Sequence, residues 1–278
     1  NFARRYGDFG PERRDGRSLA YGVREFPMGA INNGIALHGG LRPFGATFLV
    51  FTDYERPALR LRALQELPAI GIYTHDSIFV GEDGPTHQPV EHIMALRVIP
   101  NLLVYRPGDA VETVAALERI LGDHRPAALL LSRQGLPVLP AEWHDRAREG
   151  VGRGGYVLKD TTGDPDVTIY TCGSETALAL QVDELLSNLE IRVISLPCWE
   201  LFFEQSEEYR AGIMTDAAGL RVSLEAGVTT GWEWFTGRQG LNIGVDQFGQ
   251  SAPGAQLAAA LGLEAEQVAE RIRTALSA

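Results

Sequence analysis

Short apolar runs alternate with segments of helical periodicity along this chain, and no other feature limits its fold as strongly. The apolar runs predict strands at about 45–51, 69–74, 102–105 and 127–132. Helices are expected at about 27–38, 55–65 and 110–121, with another from about Pro89. Such a series is typical of a parallel sheet, because parallel strands need a crossover, usually a helix, between them. The sequence therefore predicts an α/β fold in which helices flank a mostly parallel sheet.

A second series of the same kind begins at Asp166 and predicts a second domain. Its strands are expected at about 167–171, 191–196, 220–225 and 241–245. Its helices are expected at about 175–187 and 203–213, followed by two terminal helices. Prolines and a glycine cluster between the two series are typical of a connecting segment. We predict two α/β domains, at residues 1–138 and 156–278, joined by a linker at 139–155.

The charge and the apolar content of the chain exclude two classes of partner. The formal net charge is −11, with 25 Lys and Arg against 36 Asp and Glu. Nucleic-acid binding needs a basic surface, so no nucleic-acid partner is expected. There is no run of 18 apolar residues, so no membrane-spanning segment is expected.

Cys172 and Cys198 lie beside apolar runs and are expected to be buried and reduced, which fits the cytoplasm.

Titratable residues are concentrated in the segment 74–89, directly after a predicted strand. Among its glycines and prolines stand His75, Asp76, Glu82, Asp83 and His87. Open α/β sheets bind their ligands at the carboxyl ends of their strands, which is where this segment begins. Loops lined by titratable groups on a rigid scaffold are common sites of chemistry, but each of these residues alone is more often a solvated surface group.

The spacing of the histidines does not indicate a metal site. His75, His87 and His92 fit no zinc-ligand spacing, and the sequence has no His-Glu-x-x-His motif. We therefore predict no protein-bound metal among the residues of this chain.

Two further groups of residues allow a structural reading as well as a functional one. Glu25 precedes Pro27 at a predicted helix start, where a carboxylate stabilises the helix N-terminus. Phe48, Phe51 and Tyr54 recur at every third position. On a strand the first two would point to opposite faces, so a turn must intervene if all three line one pocket. Aromatic residues are more often core than pocket, and the local pattern does not decide between the two.

Several segments, in one order along the chain, resemble the transketolase family. The segment 74–89 is similar to the family's pyrimidine-binding domain. The segments 21–30, 42–54 and 131–134 resemble its catalytic-glutamate segment, aromatic cofactor pocket and phosphate-contacting stretch. The segments 170–175 and 248–254 resemble landmarks of its C-terminal domain. This resemblance implies a pyrimidine domain of the thiamine-diphosphate-binding fold, followed by a transketolase C-terminal-like α/β domain.

The resemblance implies thiamine diphosphate as the cofactor. Glu25 is then the catalytic glutamate that hydrogen-bonds N1′ of the aminopyrimidine ring. Phe48, Phe51 and Tyr54 surround that ring, with Phe51 as the stacking partner. The implied reaction is the transfer of a two-carbon ketol unit from a ketose phosphate to an aldose phosphate, through a thiamine diphosphate carbanion. It belongs to the pentose phosphate pathway.

The resemblance also assigns residues to the sugar-phosphate substrates. His75 and Arg133 are expected to contact the sugar phosphate. His87 is expected near the carbonyl group of the donor, and Asp83 at a substrate hydroxyl. Glu25, His75 and His87 are therefore the catalytic candidates.

The family's diphosphate-binding domain has no counterpart in this sequence. Its Gly-Asp-Gly signature is not found among the 278 residues. We therefore expect the C-terminal part, or one subunit, of a transketolase. The ligands of Mg²⁺ or Ca²⁺ are expected on a diphosphate-binding domain or subunit, in a homodimer or an α2β2 assembly.

Three positions depart from the family pattern. Phe79 stands where glycine is usual, Gly135 where asparagine is usual and Gln247 where arginine is usual. Phe79 is expected to affect the substrate range if it narrows the site. The alternatives to transketolase are dihydroxyacetone synthase, deoxyxylulose-phosphate synthase and a non-catalytic transketolase-like subunit. The 131–134 and 83–89 segments favour transketolase over deoxyxylulose-phosphate synthase, and the retained site residues argue against a non-catalytic subunit.

Overall fold

The first four strands form a parallel sheet, as the alternation predicts. The computed structural model describes residues 5–214 and 219–277. The strands lie in the order β1-β2-β4-β3, with bounds Phe44–Phe48 (β1), Ile70–Thr74 (β2), Leu103–Tyr105 (β3) and Ala127–Leu131 (β4). The helices around them are Glu25–His38 (α1), Thr52–Leu64 (α2), His92–Arg97 (α3) and Ala110–Asp123 (α4). Short 3-10 helices occupy Leu49–Phe51 and Ile78–Val80.

A second sheet has the strand order β5-β7-β6-β8-β9. Its strands are Tyr156–Lys159 (β5), Val167–Thr171 (β6), Ile191–Ser195 (β7), Leu220–Leu224 (β8) and Leu241–Ile243 (β9). Its helices are His144–Gly152 (α5), Glu175–Leu185 (α6), Trp199–Phe203 (α7), Glu207–Ile213 (α8), Glu233–Thr236 (α9), Gly254–Leu261 (α10) and Ala265–Leu276 (α11). Strand β5 is antiparallel to β7, whereas the other pairs are parallel. Two mostly parallel sheets flanked by helices confirm the predicted fold class.

The structure differs from the predicted elements at several places. The helix expected at 203–213 is two helices, α7 and α8, because Ser206 caps α8 and accepts a hydrogen bond from the Tyr209 amide. The segment 139–155, expected as a linker, contains the 3-10 helix Ala141–Trp143 and α5. Strand β5 has no counterpart among the predicted strands, since its four residues are too few to carry a clear pattern.

In the described part of the chain, no helix has the length and apolarity needed to cross a membrane.

Apolar packing joins the two domains into one core. Strands β2 and β4 of the first sheet and strands β6 and β7 of the second contribute to a single buried cluster, which includes Ile70, Leu129, Ile169 and Val193. A smaller cluster packs the other face of the first sheet against its helices. Burial of one such side chain contributes about 1.5–3 kcal/mol. The shared cluster therefore holds the two sheets against each other.

Buried charges reinforce this contact between the domains. Arg106, directly after β3, lies 2.9 Å from Asp76, 2.5 Å from Glu175 and 3.5 Å from Glu225, measured between side-chain nitrogen and oxygen. Arg97 makes a second ion pair with Glu225, at 2.8 Å. Asp76 follows β2 of the first sheet, whereas Glu175 and Glu225 belong to the second domain. The network therefore ties the start of the 74–89 segment to the second domain.

Candidate active site

Three parallel strands end side by side at one edge of the first sheet. Phe48 at the end of β1 is paired with Thr74 at the end of β2, which is paired with Leu131 at the end of β4. Residues that follow these strand ends therefore share one edge, with His75 after β2 and Arg133 two residues after β4. Open α/β sheets bind ligands at this carboxyl edge.

Aromatic and imidazole rings form a continuous group at this edge. The Phe48 and His75 rings stack with their centroids 3.6 Å apart, and Phe51 meets the His87 ring edge-on at 5.5 Å. The Phe51 centroid lies 6.1 Å from that of Phe48 and 6.2 Å from that of Tyr54. The turn required to bring these aromatic residues together is the 3-10 helix between β1 and α2. The structure thus brings five of the predicted site residues into one group of rings.

His75 occupies a constrained and partly buried position. Its backbone is left-handed, with φ of 61°, a conformation that is uncommon outside glycine. Its Nδ1 lies 2.9 Å from Oγ1 of Thr74. Burial and the nearby Arg133 lower the pKa of His75, whereas Asp83 and Asp76 act to raise it. The net effect favours a neutral imidazole at pH 7, and the same interactions place Asp83 and Arg133 around this ring.

A tight loop presents Asp83 and His87. Gly81 and Gly84 have φ of 85° and 82°, values at which a side chain would be strained. The Gly84 amide donates to the Gly81 carbonyl, and the His87 amide donates to the Gly84 carbonyl, both at 3.0 Å. Asp83 is exposed. The loop therefore fixes its own backbone and leaves the Asp83 carboxylate free to bind a ligand.

Arg133 and Glu25 are charged groups whose binding capacity is free. Within residues 5–214 and 219–277, neither makes a hydrogen bond or an ion pair. Arg133 is exposed at the sheet edge, and Glu25 is half-buried as the first residue of α1. Glu25 has no ring contact with the aromatic group, but its charge acts to raise the pKa of Glu55. Glu25 is therefore near enough to Glu55, across the contact between α1 and α2, for its charge to act there.

A buried polar network lies where α1 packs on α2, and the sequence analysis did not predict it. Glu55 accepts hydrogen bonds from Tyr73 Oη at 2.9 Å and from Arg62 Nη2 at 3.1 Å. Arg62 Nε donates to Asn33 Oδ1 at 3.0 Å. Burial raises the pKa of Glu55, and this effect outweighs the lowering by Arg62 and Tyr73. The network holds α1, and therefore Glu25 at its start, against α2 and β2.

The sequence does carry a signal of this network. Glu55 and Arg62 are seven residues apart, so they share one face of α2 with Leu59. Opposite charges on a buried face must pair with each other. Gly29 of α1 lets the helices approach, because a Cβ at that position would lie 2.6 Å from a Glu55 carboxylate oxygen.

Among the described residues, one group of side chains is close enough to share a metal ion, namely Asp53, Glu91 and His92. His92 is buried, and its Nε2 lies 3.2 Å from a carboxylate oxygen of the exposed Asp53. The group does not include His75 or His87, whose rings contact aromatic residues instead. The close approach of His92 to Asp53 and Glu91 accounts for this arrangement.

The three departures from the family pattern lie at different places. Phe79 is half-buried and packs against Gly254 of α10, where an added Cβ would lie 3.1 Å from the Phe79 ring. Its ring therefore belongs to the domain interface, which gives no support to the expectation that it narrows the site. Gly135 is exposed with open space around it, and Gln247 is exposed. Nothing in the structure explains the last two changes.

Sequence comparisons identify relatives of both domains. A profile described as the transketolase pyrimidine-binding domain matches residues 2–138, and a transketolase-like C-terminal domain profile matches residues 154–264. Transketolase from Geobacillus stearothermophilus is 46% identical over 274 residues, which cover 97% of this chain and 41% of the relative. Transketolase from Physarum polycephalum is 47% identical over 272 residues, which cover 96% and 40%. The chain thus spans about two fifths of the length of these curated relatives.

Solved structures agree with these matches. Transketolase from Leishmania mexicana superposes with a TM-score of 0.90 at 41% identity, covering 97% of this chain and 39% of that one. A transketolase complex with sedoheptulose-7-phosphate from Pichia stipitis gives 0.90 at 38% identity, covering 97% and 40%. A split-gene transketolase, solved as an inactive β4 tetramer, shares the fold with a TM-score of 0.73 at 23% identity, covering 93% and 84%.

The fold and the site define an α/β protein with two mostly parallel sheets, in which aromatic and imidazole rings are grouped at the carboxyl edge of the first sheet. Within that class, the two matched profiles cover both domains of the chain. The chain belongs to the transketolase family and carries its pyrimidine-binding and C-terminal domains.

Proposed function

We propose that this chain supplies the pyrimidine side of the active site of a transketolase. The reaction is the transfer of a two-carbon ketol unit from a ketose phosphate to an aldose phosphate. The observation that carries the proposal is the grouping of His75, His87, Asp83 and Arg133 around aromatic rings at one sheet edge. This grouping offers ring surface, two imidazoles, a carboxylate and a cation within one small region.

The residues of the site fit the aminopyrimidine ring of thiamine diphosphate. Phe51 is half-buried and Tyr54 is 67% exposed, so both retain ring surface for a flat partner. Glu25 has a half-buried carboxyl group with free hydrogen-bonding capacity, which suits a ring nitrogen. When bound, thiamine diphosphate supplies the electron sink for breaking a carbon–carbon bond beside a carbonyl group. Phe48, Phe51 and Tyr54 would hold the ring, and Glu25 would hold a proton at N1′.

The substrate side of the site suits a sugar phosphate. Arg133 offers a planar fork of donors to a phosphate, and neutral His75 adds a donor without further charge. Because the chain carries a net charge of −11, a local cation is needed to attract an anionic substrate. His87 would bind the carbonyl group of the donor, and the exposed Asp83 carboxylate would bind a hydroxyl group of the sugar. These four residues position the substrate, so that the bond to be broken lies beside the cofactor.

We further propose that the diphosphate group and its Mg²⁺ or Ca²⁺ are held by a diphosphate-binding domain outside these 278 residues. The two domains matched here make up about two fifths of the relatives' length, which leaves room for such a domain in the complete enzyme. The assembly would be a homodimer or an α2β2 complex. A cytoplasmic location and a role in the pentose phosphate pathway complete the proposal. The two buried, free cysteines fit a reducing compartment.

Arg133→Ala should penalise phosphorylated substrates selectively. A charge-assisted hydrogen bond to phosphate contributes about 1.5–3 kcal/mol, so kcat/KM for a ketose phosphate should fall about 10- to 150-fold. Hydroxypyruvate, a donor without phosphate, should be spared. The measurement is kcat/KM for both donors on the enzyme assembled with a diphosphate-binding domain.

Arg119→Ala is the matched control, because Arg119 pairs with Asp123 on the outer face of α4. It should leave both donors unchanged. If Arg133→Ala reduced both donors equally, Arg133 would have no part in binding phosphate.

A further inference from the structure

The second domain makes direct contacts with the loop that carries Asp83 and His87. We call residues 81–88 the substrate loop, and residues 249–254, between β9 and α10, the strap. Gln88, at the end of the substrate loop, is 2% exposed. Its side-chain amide donates to the Gly81 carbonyl at 2.7 Å and to the Gln250 carbonyl at 2.9 Å. One amide group therefore closes the two ends of the loop and ties both to the strap.

Gly249 of the strap lies directly against the side chain of Gln88. A Cβ at position 249 would lie 1.8 Å from the amide oxygen of Gln88, so only glycine allows the approach. Ser251 Oγ donates to the Glu82 carbonyl inside the substrate loop. A Cβ at Gly84 would lie 3.4 Å from the Ser251 Cβ, which indicates close packing at the next turn as well.

The short helix before the substrate loop adds an apolar contact. The Ile78–Val80 helix packs on α10, and the Phe79 ring lies against Gly254 at the end of the strap. The loop is thus held on its backbone side, by the strap, along most of its length. Asp83 is exposed and lies between Gly81 and Gln88, the two residues that the Gln88 amide links.

We propose that the strap is a positioning element for the active site. Gln88, the residue by which the substrate loop binds the strap, is the central positioning residue. This inference rests on the proposed function, since Asp83 and His87 are the residues whose placement it sets. None of Gln88, Ser251 and Gly249 has a role in contacting substrate or cofactor. They act by fixing the loop backbone, so that the Asp83 carboxylate and the His87 ring keep one orientation toward the sugar. A displacement of about 1 Å at such positions costs up to about 10²-fold in rate.

The first test measures amide hydrogen exchange on this chain, with no need for activity. In Gln88→Met, which keeps the length of the side chain but removes both donors, the peptide spanning 81–89 should exchange at least about tenfold faster. Gln205→Met is the matched control, because the Gln205 amide donates to the Leu201 carbonyl far from the loop in the chain. It should leave the 81–89 peptide unchanged. Equal exchange in Gln88→Met and the parent would overturn the proposal.

The second test uses the enzyme assembled with a diphosphate-binding domain. Gln88→Met and the milder Ser251→Ala should lower kcat/KM for a ketose phosphate, about 10- to 100-fold for Gln88→Met. The Kd of thiamine diphosphate should stay within twofold, since the contacts of the strap argued above are with residues 79–88 and not with Phe48, Phe51 or Tyr54. Faster exchange without any loss of kcat/KM would overturn the positioning role. A parent enzyme without ketol transfer would instead contradict the proposed function, and the exchange result would still decide whether the strap holds the loop.

Discussion

Replacement of Glu25 by Ala should lower kcat of the assembled enzyme about 10²- to 10⁴-fold, the usual contribution of a general acid–base group. The reason is that Glu25 offers a half-buried carboxyl group with no competing hydrogen bond in the described part of the chain. The Kd of thiamine diphosphate should change far less, because the diphosphate and its metal supply much of the binding. The measurement is kcat at saturating cofactor, with the Kd determined separately.

Glu118→Ala provides the control for this substitution. Glu118 is an exposed carboxylate on α4, far from Glu25 in the sequence. Its removal should leave kcat unchanged. A Glu25→Ala enzyme within threefold of the parent in kcat would remove Glu25 from the catalytic machinery.

Arg106→Met should lower the free energy of unfolding by about 3–5 kcal/mol, the cost of removing one partner from a buried ion pair. Arg106 is fully buried and serves Asp76, Glu175 and Glu225 from both domains. Methionine fills much of the same volume, so the decrease in unfolding free energy comes from the uncompensated carboxylates and not from a cavity. Urea unfolding at pH 7 measures this decrease.

Arg119→Met, at a surface ion pair, should cost less than about 1 kcal/mol under the same conditions. A loss of less than 1 kcal/mol for Arg106→Met would show that the network does not stabilise the domain contact.

The same substitution should have a characteristic pH dependence. Burial acts to raise the pKa of Glu225, but Arg97 and Arg106 outweigh burial and hold the pKa at about 2, against a usual 4.5. A depressed folded-state pKa contributes stability above pH 4.5, which is lost as the pH falls toward 2. The difference in unfolding free energy between the parent and Arg106→Met should therefore be largest at neutral pH and narrow below pH 4.5. A difference that grew on acidification would contradict this account.

The alternation of strands and helices was sufficient to predict the sheet edge at which the candidate site residues lie. In a parallel sheet the carboxyl ends of neighbouring strands lie together, so residues after Phe48, Thr74 and Leu131 had to share an edge. The need for a turn after Phe48 also followed from strand geometry, and the structure contains one. Local periodicity thus brings these strand ends together without any information on long-range contacts, whereas the roles of the residues that follow them rest on the family resemblance and stay predictions.

Long-range contacts are the part that the sequence did not predict. Gln88 and Gln250 are separated by 162 residues, and Arg106 and Glu225 by 119. No local pattern specifies such partners, because they follow from how the second domain packs on the first. The same holds for Phe79, whose neighbours in sequence suggested the substrate pocket, whereas the domain packing places its ring against Gly254.

The most direct test of the central claim is an assay of ketol transfer with this chain alone and with an added diphosphate-binding domain. Assembly is first checked by size-exclusion chromatography in the presence of thiamine diphosphate and Mg²⁺. We expect no turnover of a ketose phosphate by the chain alone, and turnover that depends on both the added domain and the cofactor once the complex has formed. Turnover by the chain alone, or a stable complex without activity, would contradict the claim that these 278 residues form the pyrimidine half of a transketolase site.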